Sequence, residues 1–515
     1  MAGEAAARRS STTRGAVMVV GTTSGSGKST VVASLCRALA RRGVRVAPFK
    51  AQNMSNHAAV TPDGGEIGRS QAMQALAAGV ETDRRMGPVL LKPSANGTSH
   101  VVVMGEEIAV DDALSYGDRA ETVRPVVLDA LASLRQEHDV VVLEGAGGAA
   151  EINLLERDVV NLPLAAAAGV PAVLVVDIDR GGSFASAYGT WALLPEHLRS
   201  TLRGFVLNGF RGDASLLADG LADLERRTGV PVLGVLPHLG DHLMLGVEDS
   251  LDLVGFRLPV PQVTDPVRVA VVRLPHLANP SDLDPLLLEP SVEVRWATRP
   301  GDLEDADLVV LPGSRATVAD LAWLRERDLD RALTTLDRRV RLFGLCAGYQ
   351  MLGTLIHDDL ESGAGTVEGL GLLPVETTFE RPKVVTRSRG RVVGTEIPVE
   401  GYQIRWGRLT RTGGHALFEL EQEDGTTVQE GCVTDRHIRG TSLHGVFDCD
   451  RLRHALLWKV AAARRRTFVP SPTSYAEALS AHVDHLADWV EEHLDLDSVL
   501  ELAGQASAPG QEPGW

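Results

Sequence analysis

Residues 21–30 read GTTSGSGKST. The apolar run 16–21 leads into them, and a helical pattern, STVVASLCRALARR, follows from Ser29 to Arg42. A strand, a glycine-rich loop and a helix in that order turn backbone N–H groups and the positive end of a helix toward one point, which makes an anion cradle. Lys28 would bridge phosphates there, and the Ser29 hydroxyl would take one position on Mg²⁺, with Thr23, Gly25, Gly27 and Thr30 completing the ATP-binding set. The usual spacing has four residues between the first glycine and the Gly-Lys pair. Here five separate Gly21 from Gly27, and Thr22 stands where the glycine is expected. A plain Gly/Ser turn is the alternative, and Gly-Lys-Ser between strand and helix favours the phosphate reading.

Moving outward, buried-strand candidates occur at 44–49, 140–143, 172–177, 204–208 and 232–236, most of them separated by helical stretches. Continuous apolar strands alternating with helices indicate a parallel sheet covered on both faces. Such a sheet binds its ligand at the carboxyl ends of its strands. Glu144 ends one strand and would coordinate the metal directly or through water, or else cap a turn. Asn208 ends another and would meet adenine, or serve as a turn residue. Asp177, Asp179 and Arg180 close a third, positioning substrate or metal, or pairing with one another.

The pattern breaks around 256–267, where FRLPVPQVTDPV carries three prolines. Strands and helices then resume at 268–274, 292–297, 308–313 and 341–346, and an amphipathic helical region closes the chain at 474–503. The expected organisation is a disordered lead-in at 1–15, a P-loop domain at 16–256, a linker at 257–267, a second α/β domain at 268–503 and a tail at 504–515.

The second domain carries GLCAGYQMLG at 344–353. A thiol framed by glycines between a strand and a helix is the elbow that exposes a nucleophile. The helix behind Cys346 favours its thiolate. The N–H of Ala347 and one from Gly313, in the loop 311–314, would form an oxyanion hole. The competing reading is a buried structural cysteine, as expected for Cys36 on an apolar helix face. The base would be His444, in GTSLHGVF, with His437 as its nearest competitor.

The 515 residues are 44% hydrophobic with a net charge of −17, which disfavours nucleic acid or an anionic membrane as the main partner. No apolar run is long enough to cross a bilayer, and the arginine-containing start lacks a secretory apolar core, leaving a lead-in or a removable transit segment. The four cysteines, Cys36, Cys346, Cys432 and Cys449, show neither disulfide-framework nor zinc spacing, which fits a cytoplasmic protein.

Taken together, GTTSGSGKST, PFKAQNMSN, GGEIGRSQAMQA, EGAGGAAEINL and DIDRGGSFA in the first half resemble the cobyric acid synthase family. So do LPGSRATVADLAWLR, GLCAGYQMLG and GTSLHGVFD in the second half. The resemblance runs from about residue 16 to about 500, and PFKAQNM and GGEIGR separate it from the sister cobyrinic acid a,c-diamide synthases. It implies an α/β protein with an N-terminal P-loop domain of dethiobiotin-synthetase-like type and a C-terminal class I glutamine amidotransferase-like domain. It further implies amidation of the b, d, e and g carboxylates of adenosylcobyrinic acid a,c-diamide, with L-glutamine as nitrogen donor and ATP·Mg²⁺ cleaved to ADP and phosphate. Cys346 would attack the glutamine amide, with His444 as base and acid.

This chain departs from the family pattern in two places. Gly25 and Ser26 replace an Asp-Ala pair in the phosphate loop, and GYEIHMG becomes GYQIRWG, with Gln403 and Arg405 in place of an acid and a histidine. Many amidotransferases carry an acid two residues after the histidine. Val446 stands there, so a Cys–His pair is expected rather than a triad. A ParA/MinD-like ATPase switch is the rival of another class, but no second lysine stands between Gly21 and Gly27, and that class has no need of the elbow. The remaining rivals are an amidoligase acting on another polycarboxylate and a chain that kept the fold but lost glutaminase activity.

Overall fold

The computed structural model describes residues 14–93, 99–108, 116–240, 259–422, 425–434 and 438–506. Most of the lead-in, part of the expected linker, His437 and most of the tail lie outside the described residues.

Six parallel strands form the first sheet, in the order Val232–Pro237, Leu202–Phe210, Ala172–Asp177, Gly15–Gly21, Val140–Glu144, Val46–Phe49. Gly15–Gly21 lies in the interior of the sheet, between strands that follow it much later in the chain, so the topological switch falls beside the phosphate loop. Alternation along this strand divides the core. Met18 and Val20 pack on one face with Phe49 and Leu174, while Val17 and Val19 pack on the other against Val31, Leu35 and Leu39 of the helix Lys28–Arg41.

The second sheet has the order Val292–Ala297, Val267–Val272, Leu308–Leu311, Arg341–Leu345, Ile438–Thr441, Cys432–Val433, parallel except for the last short strand. A third sheet is built on a long antiparallel hairpin, Val375–Val392 with Pro398–Arg411. This hairpin reaches the first domain. Arg387 donates from Nε to the Val60 carbonyl (2.9 Å) and from Nη2 to Thr82 Oγ1 (2.9 Å). Lys383 lies 2.8 Å from Glu66, a buried carboxylate that is also paired with Lys92.

The closing helices Tyr475–His493 and Leu496–Gly504 differ from expectation. They pack on the first domain, where Val483, Leu486, Val490 and Val499 join the core beneath the helix Lys28–Arg41. Arg37 and Arg41 pair with Asp484 and Asp488 at 2.7 and 2.6 Å, and the Trp489 indole donates to the Pro237 carbonyl (2.9 Å). Their apolar stripe was legible, but a stripe does not name the surface that covers it. Among the described residues no helix is long and apolar enough to cross a membrane.

Candidate active site at two sheet edges

Leu345 and Thr441 are register partners on adjacent strands, so Cys346 and His444 leave the second sheet at the same carboxyl edge. Cys346 has φ 49° and ψ −108°, a strained conformation for a residue bearing Cβ. The surroundings hold it there. Its N–H donates to the Thr441 carbonyl (2.8 Å), and its carbonyl accepts from Gln350 N–H (3.1 Å). A Cβ on Gly348 would lie 1.9 Å from the Leu311 carbonyl oxygen, and one on Gly344 would lie 2.9 Å from the Tyr349 nitrogen. The glycine frame therefore lets helix and strand close on each other around the thiol. Gly313 is at the same place, since a Cβ there would be 3.2 Å from His444 Cε1 and 3.8 Å from Cys346 Cβ. Ala347 opens the helix behind the sulfur.

His444 is buried and stacked on Tyr402, with ring centroids 5.2 Å apart. Its Nδ1 lies 2.7 Å from Asp282 Oδ2, and Asp282 Oδ1 accepts the Gly445 N–H (2.9 Å). The Cys346 sulfur acts on the imidazole electrostatically, and its own hydrogen bond is to the Ile404 carbonyl (3.8 Å). With Nδ1 engaged by the carboxylate, Nε2 is left for the sulfur. The expected pair is thus corrected to a three-membered arrangement. Val446 is buried in the core, and the acid comes from the short 3₁₀ turn Pro280–Leu283 instead. Burial alone would drive His444 toward neutrality. The Asp282 carboxylate and the Cys346 sulfur outweigh it and push its pKa up to about 10. Cys36 is buried in the first core with its thiol pKa raised by desolvation, as expected of a structural cysteine.

At the first sheet, Lys28 Nζ reaches the carbonyls of Thr23 (2.8 Å), Ser24 (3.1 Å) and Gly147 (3.1 Å), closing over the mouth of the loop. Thr23 and Gly25 are exposed at that mouth, while Ser29 and Thr30 are buried at the base. The Ser29 hydroxyl donates to Glu144 Oε1 (2.8 Å). Glu144 also receives Lys50 Nζ (2.7 Å) and Gln74 Nε2 (2.5 Å). Lys50 and Gln74 were not singled out from the sequence; a lysine directly after an apolar strand at a ligand edge was the available signal. Asn208 braces the loop through Nδ2 to the Ser26 carbonyl (2.9 Å). Gly27, at φ 89°, must be glycine, because a Cβ would lie 2.1 Å from that same Nδ2. Asp179 pairs with Arg211 at 2.9 Å, and Arg180 lies 3.7 Å from Asp177, so these charges engage one another or a near neighbour.

The two departures form a unit of their own. Arg405 donates from Nε to Gln403 Oε1 (3.2 Å), and Gln403 donates to Ser388 Oγ (3.1 Å). Arg405 lines the pocket that contains Cys346, and that pocket is walled partly by Asn56 and Lys92 of the first domain.

Comparison with known proteins agrees with this two-part architecture. Residues 17–241 match the CobQ/CobB/MinD/ParA nucleotide binding domain, and residues 268–452 match the CobB/CobQ-like glutamine amidotransferase domain. The chain is 48% identical over 504 residues to a cobyric acid synthase of Rhodococcus jostii (strain RHA1), covering 96% of this chain and 97% of the relative. It is 48% identical to one of Mycolicibacterium paratuberculosis (95% and 96% covered) and 43% identical to one of Salmonella heidelberg (strain SL476; 96% and 99% covered). Both halves are matched in order, and the relatives match nearly end to end; the chain belongs to the cobyric acid synthase family.

Proposed function

We propose that this chain is a glutamine-dependent amide ligase of cobalamin biosynthesis that amidates the b, d, e and g carboxylates of adenosylcobyrinic acid a,c-diamide. The reading is carried by one observation: a Cys346–His444–Asp282 constellation and a phosphate loop stand at the ligand edges of two docked sheets in one chain. In the second domain, the Cys346 thiolate attacks the amide carbon of glutamine, and the tetrahedral oxyanion is met by N–H groups of Gly313 and Ala347. His444 delivers its proton to the departing nitrogen, the C–N bond breaks and ammonia leaves. Water, deprotonated by His444, then cleaves the thioester to release glutamate and restore the thiol.

In the first domain, a substrate carboxylate oxygen attacks the γ-phosphorus of ATP, ADP departs, and the acid becomes an acyl phosphate. Ammonia attacks the acyl carbon, and phosphate leaves with the bond electrons. Lys28 neutralises charge as the phosphoryl group moves. The loop fits a nucleotide phosphate. Among the described residues Ser26 Oγ is buried without a partner, and a Cβ at Gly21 would fill the space beside Ser26 and Lys28. The Ser29 hydroxyl and Glu144 carboxylate are hard oxygen donors suited to Mg²⁺, which when bound would spread charge over the phosphates. Among the described residues no cluster of three or more His, Cys, Asp or Glu side chains could hold a metal ion, so phosphate and water oxygens would complete its shell.

The test pairs two variants, with ADP release and amide formation on the corrinoid acid as readouts. Cys346→Ser loses glutamine-supported amidation and keeps it with high ammonium. Lys28→Ala loses both. Unchanged glutamine use by Cys346→Ser would remove the thiol from the mechanism.

A further inference from the structure

The pocket at Cys346 holds polar groups that the chemistry above does not use. Arg315 is nearly buried, with its side chain 10% exposed, and its Nη1 pairs with Glu361 Oε2 at 3.1 Å. Its Nε and Nη2 are buried and have no hydrogen-bond partner among the described residues. Asn56, across the same pocket, has a buried Oδ1 that likewise lacks a partner. Leaving such groups unsatisfied is costly, most of all for a charged group, so a ligand that satisfies them recovers that cost. The unmatched set is two cationic N–H donors and one neutral acceptor, with the Glu361 carboxylate beside it. Its Oε1 accepts the Thr317 N–H (3.2 Å). Lys92, ion-paired with Glu66, adds positive charge to the same wall.

Donors for a carboxylate and acceptors for an ammonium, sharing one pocket with a nucleophilic sulfur, match the head group of an α-amino acid whose side-chain amide reaches that sulfur. We propose that Arg315 receives the α-carboxylate of glutamine, and that Asn56 Oδ1 together with Glu361 receives its α-ammonium. This rests on the reading of Cys346 as the residue that attacks glutamine. Arg315 and Asn56 are specificity-determining residues here. Asn56 belongs to the first domain, so the donor pocket is complete only when the two domains are docked.

The experiment compares glutamine with two truncated amides in the full-length protein: 4-aminobutanamide, which lacks the α-carboxylate, and 4-carbamoylbutanoate, which lacks the α-amine. The wild-type protein uses both poorly. Arg315→Met raises KM for glutamine roughly 10- to 100-fold, as expected for a lost charge-assisted bond, and leaves the ammonium-supported rate unchanged. It also erases the preference for glutamine over 4-aminobutanamide, whereas Asn56→Ala erases the preference over 4-carbamoylbutanoate. A purely structural role would weaken all three amides alike. An Arg315→Met protein that keeps the wild-type preference overturns the proposal. If that variant does not fold, equal use of glutamine and 4-aminobutanamide by the wild-type protein overturns it too. Retained glutamine use by Cys346→Ser sinks the parent reading instead, so the two failures are told apart.

Discussion

The carboxylate that, together with the Cys346 sulfur, raises the His444 pKa lies outside its own sequence neighbourhood. Asp282 lies 162 residues before it and 2.7 Å from its Nδ1. Cys346 and His444 were legible as candidates, since glycines around Cys346 and a glycine after His444 leave local marks. The acid was not, because the rule that searches two residues beyond the histidine finds Val446. Replacing Asp282 by Asn removes the attraction that opposes burial, so the imidazole pKa falls. The protonated form exists below the folded pKa of about 10 and is lost as pH rises through it. The alkaline limb of kcat/KM for glutamine therefore moves to lower pH in Asp282→Asn, and the maximum drops roughly 100-fold. Ammonium-supported amidation keeps its rate and profile. An unmoved alkaline limb would leave Asp282 with only a structural part.

Elements decide how closely these residues can approach. The strand Arg341–Leu345 and the helix Ala347–Leu352 meet at an elbow whose glycines were visible in the sequence, although what those glycines touch was not. Gly348 lies against the Leu311 carbonyl, on the strand that delivers Gly313. In Gly348→Ala the helix must back away from that strand. A loss of about 1–3 kcal/mol in the stability of the second domain is expected. A lower urea midpoint reports it, together with a fall in glutamine use that spares nucleotide binding. A midpoint equal to wild type would mean the packing relaxes without strain. The phosphate loop presents the opposite case. Its strand–loop–helix order was legible throughout, whereas Lys50 and Gln74 converge on Glu144 from separate segments, and no local pattern announces convergence.

Across the whole molecule, the domains are joined by side chains that read as unremarkable polar residues in sequence. Glu66 is buried between Lys92 of its own domain and Lys383 of the long hairpin. Burial opposes its charge, but Lys383 and Lys92 overcome that and hold its pKa down to about 2. Its contribution is therefore complete above the ordinary glutamate value of 4.5 and fades as pH falls from there toward 2. Glu66→Gln leaves the buried Lys92 ammonium without its ion-pair partner and Lys383 with only Glu107, 3.4 Å away, a change of about 3–5 kcal/mol for such a buried pair. Glutamine-supported amidation should fall well below the ammonium-supported rate, and limited proteolysis should cut the hairpin faster. Equal loss with both nitrogen sources would show that the lock does not serve the docking of the two halves.

The parallel sheets were legible at this scale because their strands are continuous apolar runs. Which sheet the last helices cover was not. Arg37 and Asp484, joined in the finished protein, are 447 residues apart along the chain. During synthesis the P-loop half leaves the ribosome with Val31, Leu35 and Leu39 missing part of their final cover, and waits until the amidotransferase half has been made. A half-made chain thus holds an unfinished nucleotide-binding module, which matures only after the amidotransferase half exists.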